Sequence, residues 1–325
     1  MKPKVLLIQP TIQPVGVDIL KEHCEVFMAP DGNPDTLIQC IREHQCQGVV
    51  TRVEQITREV IQSCPSLKVI GQHGVGLDNI DVQAATDHGV MVLNVPDANY
   101  VSVAEHAMMF VLALSRDLRA ADQAVRAGNW KFRETNIPNE VAGKTLVIVG
   151  LGTIGRDVAK KALSFDMRVV AFDAYVSAER MQQLGVEKAE TLEEALKQAD
   201  FISIHAPLTP ETRGMFSTPQ FQMMKPTACL INLGRGPVVD QAALVDALTK
   251  HEIAAAALDV FEQEPPQAND PLFALSNLIV TPHFGGDTID AKRRCSQKLA
   301  QTMVQALEGE KPYNFFNRKA LEAKD

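Results

Sequence analysis

The feature that most constrains this chain is a glycine fingerprint near its middle. Leu146-Val-Ile-Val149 runs into Gly150-Leu-Gly152-Thr-Ile-Gly155, and Asp173 follows 18 positions after the last glycine. Three glycines at this spacing are a weak signal alone, so their setting carries the reading. A β-branched strand precedes them, a helical stretch from Arg156 to Ser164 follows, and Met167-Arg-Val-Val-Ala-Phe172 supplies a second strand that ends at the acid. This order is the opening βαβ of a Rossmann domain. The glycines permit a tight turn and close backbone approach, so a pyrophosphate can rest on the N–H groups and positive end of the next helix. Asp173 is placed to accept hydrogen bonds from the adenosine ribose hydroxyls, whereas a 2′-phosphate would meet like charge there and Ala174 offers it no guanidinium. The expected cofactor is therefore NAD rather than NADP, held by Gly150, Gly152, Gly155 and Asp173.

A Rossmann unit that begins near residue 150 leaves the leading segment to a domain of its own. That segment alternates strands at Val5–Ile8, Val26, Gly48–Val50, Lys68–Ile70 and Val90–Leu93 with helices near Val17–His23, Pro34–Glu43 and Arg58–Cys64. The pattern predicts a second doubly wound sheet. Val101 to Ala127 reads as one long helix bridging the two domains, apolar nearly all round from Ala104 to Leu114. After the fingerprint come strands near Phe201–Ile204, Cys229–Asn232, Ala255–Leu258 and Leu278–Val280 and a helix at Gln241–Lys250. A final helix, Ile289 to Leu307, is expected to return to the first domain. The fold class expected is α/β: a Rossmann cofactor domain (residues 101–287) inserted into a flavodoxin-like substrate domain (residues 1–100 and 288–325). The acidic run Glu187–Glu194 and the tail Glu322–Asp325 read as solvated surface.

Composition narrows the classes. At 325 residues, 46% hydrophobic and 22% charged, the chain can bury two ordinary cores. Its net charge of −8 argues against nonspecific nucleic-acid or anionic-membrane binding. The apolar run before Gln9-Pro10 is too short for a secretory signal, and no stretch is long enough to span a bilayer. Six cysteines lie scattered without CxxC or zinc-like spacing, which predicts reduced thiols in a cytoplasmic protein and no metal.

Three charged positions follow strand ends in the second half: Arg235 in Asn232-Leu-Gly-Arg-Gly236, Glu264 after Leu258-Asp259, and His283 after Val280-Thr-Pro. Ligands of open α/β sheets bind beyond the carboxyl ends of strands, so all three point to one crevice. Oxidation of a hydroxy acid needs a cation for the carboxylate, an acid/base for the hydroxyl proton and a group that tunes it. Arg235 suits the first role, His283 the second, and Glu264 the third by stabilising the protonated imidazole. Taken singly they read as a turn arginine, an acidic loop and a satisfied buried histidine; behind a dinucleotide fingerprint the set points to one catalytic site. The segment His73-Gly74-Val75-Gly76 after Ile70 reads either as a nest of N–H groups for a carboxylate or as a simple turn into the next helix. His205, at another strand end, is expected to border the cofactor, and His106, inside an apolar helix, to be a hydrogen-bonded core or interface residue.

At this point the residues resemble the D-isomer-specific 2-hydroxyacid dehydrogenase family over nearly the whole chain. The resemblance rests on Gly74-Val-Gly-Leu-Asp-Asn-Ile-Asp81, Ser102-Val-Ala-Glu-His106, the fingerprint, His205-Ala-Pro-Leu-Thr-Pro-Glu-Thr212, Asn232-Leu-Gly-Arg-Gly236, Asp259-Val-Phe-Glu-Gln-Glu-Pro265 and Pro282-His283. It implies a homodimer with a cleft between domains, a small 2-hydroxy or 2-oxo acid as substrate, Asp259 near the nicotinamide, and contacts to NAD from Thr153, Ile154, His205, Ala206, Leu233 and Gly234. Within the family the chain looks most like the phosphoglycerate dehydrogenases, including Val50-Thr-Arg52-Val-Glu-Gln-Ile-Thr57, so Arg52 is expected either to bind a substrate phosphate or to pair with Glu54 at the surface. One departure is His73, where many phosphoglycerate dehydrogenases carry arginine. Hydroxypyruvate or glyoxylate reduction is the alternative. An NAD(H)-responsive corepressor is a reading from another class, and the absence of a long interaction tail weighs against it.

Overall fold

The computed structural model describes residues 2–8 and 12–323; Met1, Gln9–Thr11, Lys324 and Asp325 fall outside the description. The chain divides into two compact units, one formed by Met1–Asn99 with Asp287–Asp325, the other by Tyr100–Gly286.

In the first unit, β1 (Lys4–Ile8), α1 (Pro14–His23), β2 (Glu25–Ala29), α2 (Pro34–His44), β3 (Gly48–Thr51), α3 (Arg58–Ser63), β4 (Val69–Gln72), α4 (Val82–Asp87) and β5 (Met91–Leu93) alternate along the chain. The strands pair in parallel in the order β2-β1-β3-β4-β5, the flavodoxin-like winding. Every residue of β3 and β4 is buried, as expected of parallel strands covered on both faces.

The second unit opens with α5 (Tyr100–Ser115), α6 (Leu118–Arg126) and α7 (Phe132–Thr135). The single bridging helix expected over 101–127 is thus two helices, both within this unit. The break falls at Asp117, in left-handed backbone with φ 45°. Aspartate tolerates that region better than most residues. The chain is pinned beside it, because the Ser115 hydroxyl donates to the Asn139 carbonyl at 2.7 Å and the Asn139 N–H returns to the Ser115 carbonyl at 3.1 Å. Apolar burial ends there as well: α5 buries half its residues, α6 only Ala124.

The unit continues through β6 (Thr145–Val149), α8 (Thr153–Leu163), β7 (Arg168–Phe172), α9 (Ala178–Gln183), β8 (Glu187–Lys188), α10 (Leu192–Gln198), β9 (Phe201–Ile204), α11 (Thr218–Met223), β10 (Cys229–Asn232), α12 (Gln241–Thr249), β11 (Ala255–Leu258) and β12 (Leu278–Val280). Its parallel sheet runs β12-β11-β10-β9-β6-β7-β8, and the winding reverses between β6 and β9. The glutamates of the acidic run are exposed, as expected, but most are carried on regular elements. Glu187 and Lys188 form the edge strand, where Arg168 pairs with Glu187, and Glu193 and Glu194 fill the first turn of α10, favourably placed toward its positive end. Beyond Asp287 the chain returns to the first unit as α13 (Ile289–Leu307), packed on α1, β4 and β5, and α14 (Arg318–Glu322), which holds Glu322.

The fingerprint glycines have separate structural reasons. Gly150 has φ +94°, and a Cβ there would stand 2.8 Å from the Ala206 nitrogen; a Cβ on Gly155 would collide with the Gly150 carbonyl oxygen. Both obstacles are backbone. Gly155→Ala is therefore expected to cost about 1–3 kcal/mol of stability, read as a lower midpoint in denaturant unfolding. An unchanged midpoint would mean that α8 can shift away from the turn.

Candidate active site

The strand ends at the β6/β9 reversal carry the fingerprint and His205. Gly152 caps α8 without any side-chain hydrogen bond. The first N–H groups of a helix have no intrahelical partner, so those at Thr153, Ile154 and Gly155 remain to receive an anion. A Cβ on Gly152 would meet nothing within 4 Å, so its glycine is not required by packing and instead leaves the helix start open to a close ligand. These residues fit the pyrophosphate of a dinucleotide.

Asp173 does more than its sequence position indicated. One carboxylate oxygen accepts the Leu151 N–H at 2.7 Å, within the glycine turn, and the other accepts the N–H groups of Tyr175 at 2.8 Å and Val176 at 3.2 Å. It organises both the turn and the loop beyond β7, while a carboxylate's remaining lone-pair capacity can still serve a ribose hydroxyl. His205 lies beyond β9 with Nε2 2.8 Å from the Ser203 hydroxyl, and burial pushes its pKa down to about 4. Ala206 and Leu233 are buried, and the Gly234 N–H donates to Asn232 Oδ1 at 3.0 Å.

Arg235, Glu264 and His283 all follow strands of this sheet. His283 Nδ1 is 2.6 Å from Glu264 Oε2. The hydrogen bond to Glu264 raises the imidazole pKa above its ordinary value against the opposing effect of burial, with the Glu264 and Asp259 charges adding to the rise and Arg235 reducing it. Burial by itself would push the Glu264 carboxyl up. Hydrogen bonds from His283 and the Phe261 N–H, with the charges of His283 and Arg235, outweigh burial and hold it below the usual range. The Arg235 guanidinium donates to the Gly234 carbonyl at 2.9 Å. Asp259, at the end of β11, is buried, and its carboxylate accepts from the Thr281 hydroxyl at 2.6 Å, the Phe284 N–H at 3.0 Å and the Gly285 N–H at 2.8 Å.

The residues expected to bind substrate in the first unit gather beyond β3 and β4. Arg52 pairs with Asp287, and not with Glu54 as the surface alternative had it. Glu54 instead turns inward, accepting from the Thr51 hydroxyl at 3.0 Å and the Arg52 N–H at 2.9 Å. Asp287 also lies 3.3 Å from Lys292, so two cations share one carboxylate. His73 is buried with Nε2 2.8 Å from the Ser296 hydroxyl; burial and the nearby Arg52 charge push its pKa down to about 4. The Gly74 N–H is taken by the Gln72 carbonyl at 2.9 Å, whereas among the described residues the N–H groups of Val75 and Gly76 donate to no backbone carbonyl. Asp287 and Ser296 were not singled out from the sequence, because their partners lie more than 200 positions away.

The imidazole of His283 should hold its proton to higher pH than a free histidine. Glu264→Gln removes the anionic partner, so the titration of the His283 ring followed by NMR should move down toward the ordinary value near 6.5. An unmoved titration would show that the pair does not set the proton affinity.

Residues 108–285, more than half of the chain, match the family described as D-isomer specific 2-hydroxyacid dehydrogenase, NAD binding domain. The chain is 40% identical over 314 residues to D-3-phosphoglycerate dehydrogenase of Methanocaldococcus jannaschii, a match covering 97% of this chain and 59% of that protein. It thus spans about three fifths of the length of that curated relative. Among solved structures, a protein from Thermus thermophilus is 32% identical with a TM-score of 0.87, covering 96% of this chain and 99% of its own. A glyoxylate reductase from Paecilomyes thermophila is 26% identical with a TM-score of 0.88, covering 98% and 99%. A nucleotide turn, a histidine–glutamate pair and an arginine stand at the strand ends of one sheet, and the match runs across all of them: the chain belongs to the D-isomer specific 2-hydroxyacid dehydrogenase family.

Proposed function

We propose that this chain is an NAD-dependent dehydrogenase of small D-2-hydroxy acids, with 3-phosphoglycerate and phosphohydroxypyruvate as its substrate pair. The observation that carries the reading is the 2.6 Å contact between His283 Nδ1 and Glu264 Oε2. That contact commits Nδ1, so Nε2 is the nitrogen that exchanges a proton with the substrate oxygen. Glu264 stabilises the imidazolium, keeping a proton available for reduction, and Arg235 grips the substrate carboxylate through its guanidinium fork. Bound NAD would take or supply the hydride at the substrate carbon. Gly150, Gly152, Thr153, Ile154 and Gly155 would hold its pyrophosphate, and Asp173 its adenosine ribose.

The phosphorylated substrate is supported by the Methanocaldococcus jannaschii relative, a D-3-phosphoglycerate dehydrogenase, and by Arg52 and Lys292 sharing the single carboxylate of Asp287, an excess of positive charge that would favour a phosphate. Hydroxypyruvate or glyoxylate reduction is the second reading. It is favoured by Asp287, which a phosphate would have to displace from Arg52, and by His73, held neutral through burial. Six unpaired cysteines, five of them buried, support a reducing compartment such as the cytoplasm. No helix among the described residues is long and apolar enough to cross a membrane.

A steady-state panel tests this reading. NADH should be preferred over NADPH by about 10-fold or more in kcat/KM, since like charge at Asp173 costs at least about 1.4 kcal/mol. His283→Ala should lower kcat by about 100-fold or more. Gly152→Ala should fold normally yet weaken NADH binding. Arg52→Ala should penalise phosphohydroxypyruvate by about 10- to 150-fold, the worth of a charge-assisted contact of about 1.5–3 kcal/mol, and hydroxypyruvate far less. A wild-type preference for hydroxypyruvate would move the chain to the reductase reading, and no turnover with any 2-oxo acid would end both.

The homodimer reading is supported by large apolar side chains in solvent along one segment: Leu118 59%, Val125 58%, Trp130 65% and Ile137 81% exposed. Isolated exposed residues need no partner, but a run of them along α6 and the turns on either side of α7, where little is buried, supports one. Light scattering should give the mass of two chains, and Val125→Glu with Trp130→Glu should give one. A monomeric wild type at micromolar concentration would refute the dimer.

A further inference from the structure

We infer that Thr281 and His106 are positioning residues for His283, acting through the buried carboxylate of Asp259. The inference rests on His283 being the proton-transfer group of the proposed reaction.

His283 sits in left-handed backbone with φ 50°. A non-glycine residue there is unfavourable and persists only where its surroundings determine it. The turn gains little from its own chain, a single bond from the His283 N–H to the Thr281 carbonyl at 3.1 Å. Its anchorage is Asp259. The Thr281 hydroxyl precedes His283 and the Phe284 and Gly285 N–H groups follow it, and all three donate to this one carboxylate. Space around the anchor is tight, for a Cβ on Gly285 would lie 2.8 Å from Asp259 Oδ2 and 3.1 Å from Leu233. Three of about four acceptor sites on Asp259 are thereby spent inside the protein. A neighbour of the nicotinamide, which the family resemblance makes of Asp259, is here first the clamp of the catalytic turn.

The clamp extends one step further. A threonine hydroxyl has one proton, and Thr281 gives it to Asp259 at 2.6 Å; toward His106 Nε2, 3.2 Å away, it can only accept. His106 therefore carries its proton on Nε2. Burial lowers its pKa against the opposing charge of Asp259. Its ring stands edge-on to Phe110 of the same helix at 4.6 Å and to Phe284 of the turn at 5.3 Å. A chain of donors thus runs from α5 through His106 and Thr281 to Asp259, which holds the turn that sets the His283 ring against Glu264.

Three variants of the full chain test this. Thr281→Val keeps the shape and removes the hydroxyl, Thr281→Ser restores the hydroxyl without the methyl, and His106→Phe keeps the ring packing without the donor. Thr281→Val should lower kcat by about 10- to 100-fold, the scale of a misplaced catalytic group, with the KM for NADH within about 2-fold of wild type. The NMR titration of His283, on which Glu264, Asp259 and Arg235 all act, should move down as the Glu264 contact loosens. Thr281→Ser should restore both readouts. His106→Phe should shift both in the same direction by a smaller amount, and it carries the test should Thr281→Val not fold. An unmoved titration in Thr281→Val or, failing that, in His106→Phe overturns the inference, as does a serine variant as impaired as the valine. Because the titration needs no substrate, an inactive wild type would refute the dehydrogenase reading while leaving this test intact.

Discussion

At the centre of the cofactor sheet two strand ends approach until only backbone separates them. Gly150 leaves β6 with a positive φ, and the space its side chain would fill is taken by the His205–Ala206 peptide at the end of β9. The Gly150 carbonyl in turn fills the space a Gly155 side chain would need, which sets where α8 begins. Asp173 at the end of β7 then reaches the Leu151 N–H inside the same turn. Two strand ends and a helix start are thus located by main-chain contacts, and the third strand end by a single carboxylate. A cofactor bound there meets peptide groups with fixed directions, the preorganised setting in which hydrogen bonds to an anion are worth most.

Much of this was legible in the sequence because it is local. Strands read as β-branched runs, the glycine turn as a spacing, and the three charged residues as positions following strand ends, so both sheets and the Arg235, Glu264 and His283 set were visible in short windows. What escaped depends on partners far along the chain. No periodicity separates one helix from two at Asp117, because the break is held by Ser115 and Asn139, whose pairing is tertiary. Arg52 was weighed against its neighbour Glu54, yet its carboxylate comes from Asp287, and Glu54 is drawn inward by Thr51 and by backbone N–H groups that a charge count does not register. Asp173 was read for its ligand, but its first obligations are to three N–H groups of its own chain.

Four histidines show how one side chain is given different chemistry. His73, His205 and His106 are each placed with a ring nitrogen near a hydroxyl, on Ser296, Ser203 and Thr281 in turn, and burial lowers the proton affinity of all three. A hydroxyl can satisfy a neutral imidazole but offers no charge to compensate a protonated one, so desolvation decides the outcome. His283 is also partly withdrawn from water, yet its partner is a carboxylate at 2.6 Å and its proton affinity rises. The acid/base role proposed for His283 therefore depends less on where a histidine lies in the sequence than on whether its second nitrogen meets an anion. Glu264 serves as that anion because the hydrogen bonds from His283 and the Phe261 N–H, with the charges of His283 and Arg235, hold its carboxyl below the usual range against the opposing effect of burial. The cation proposed for the substrate carboxylate thus acts on both members of the pair, lowering the proton affinity of Glu264 and opposing, more weakly, the rise that Glu264 gives His283.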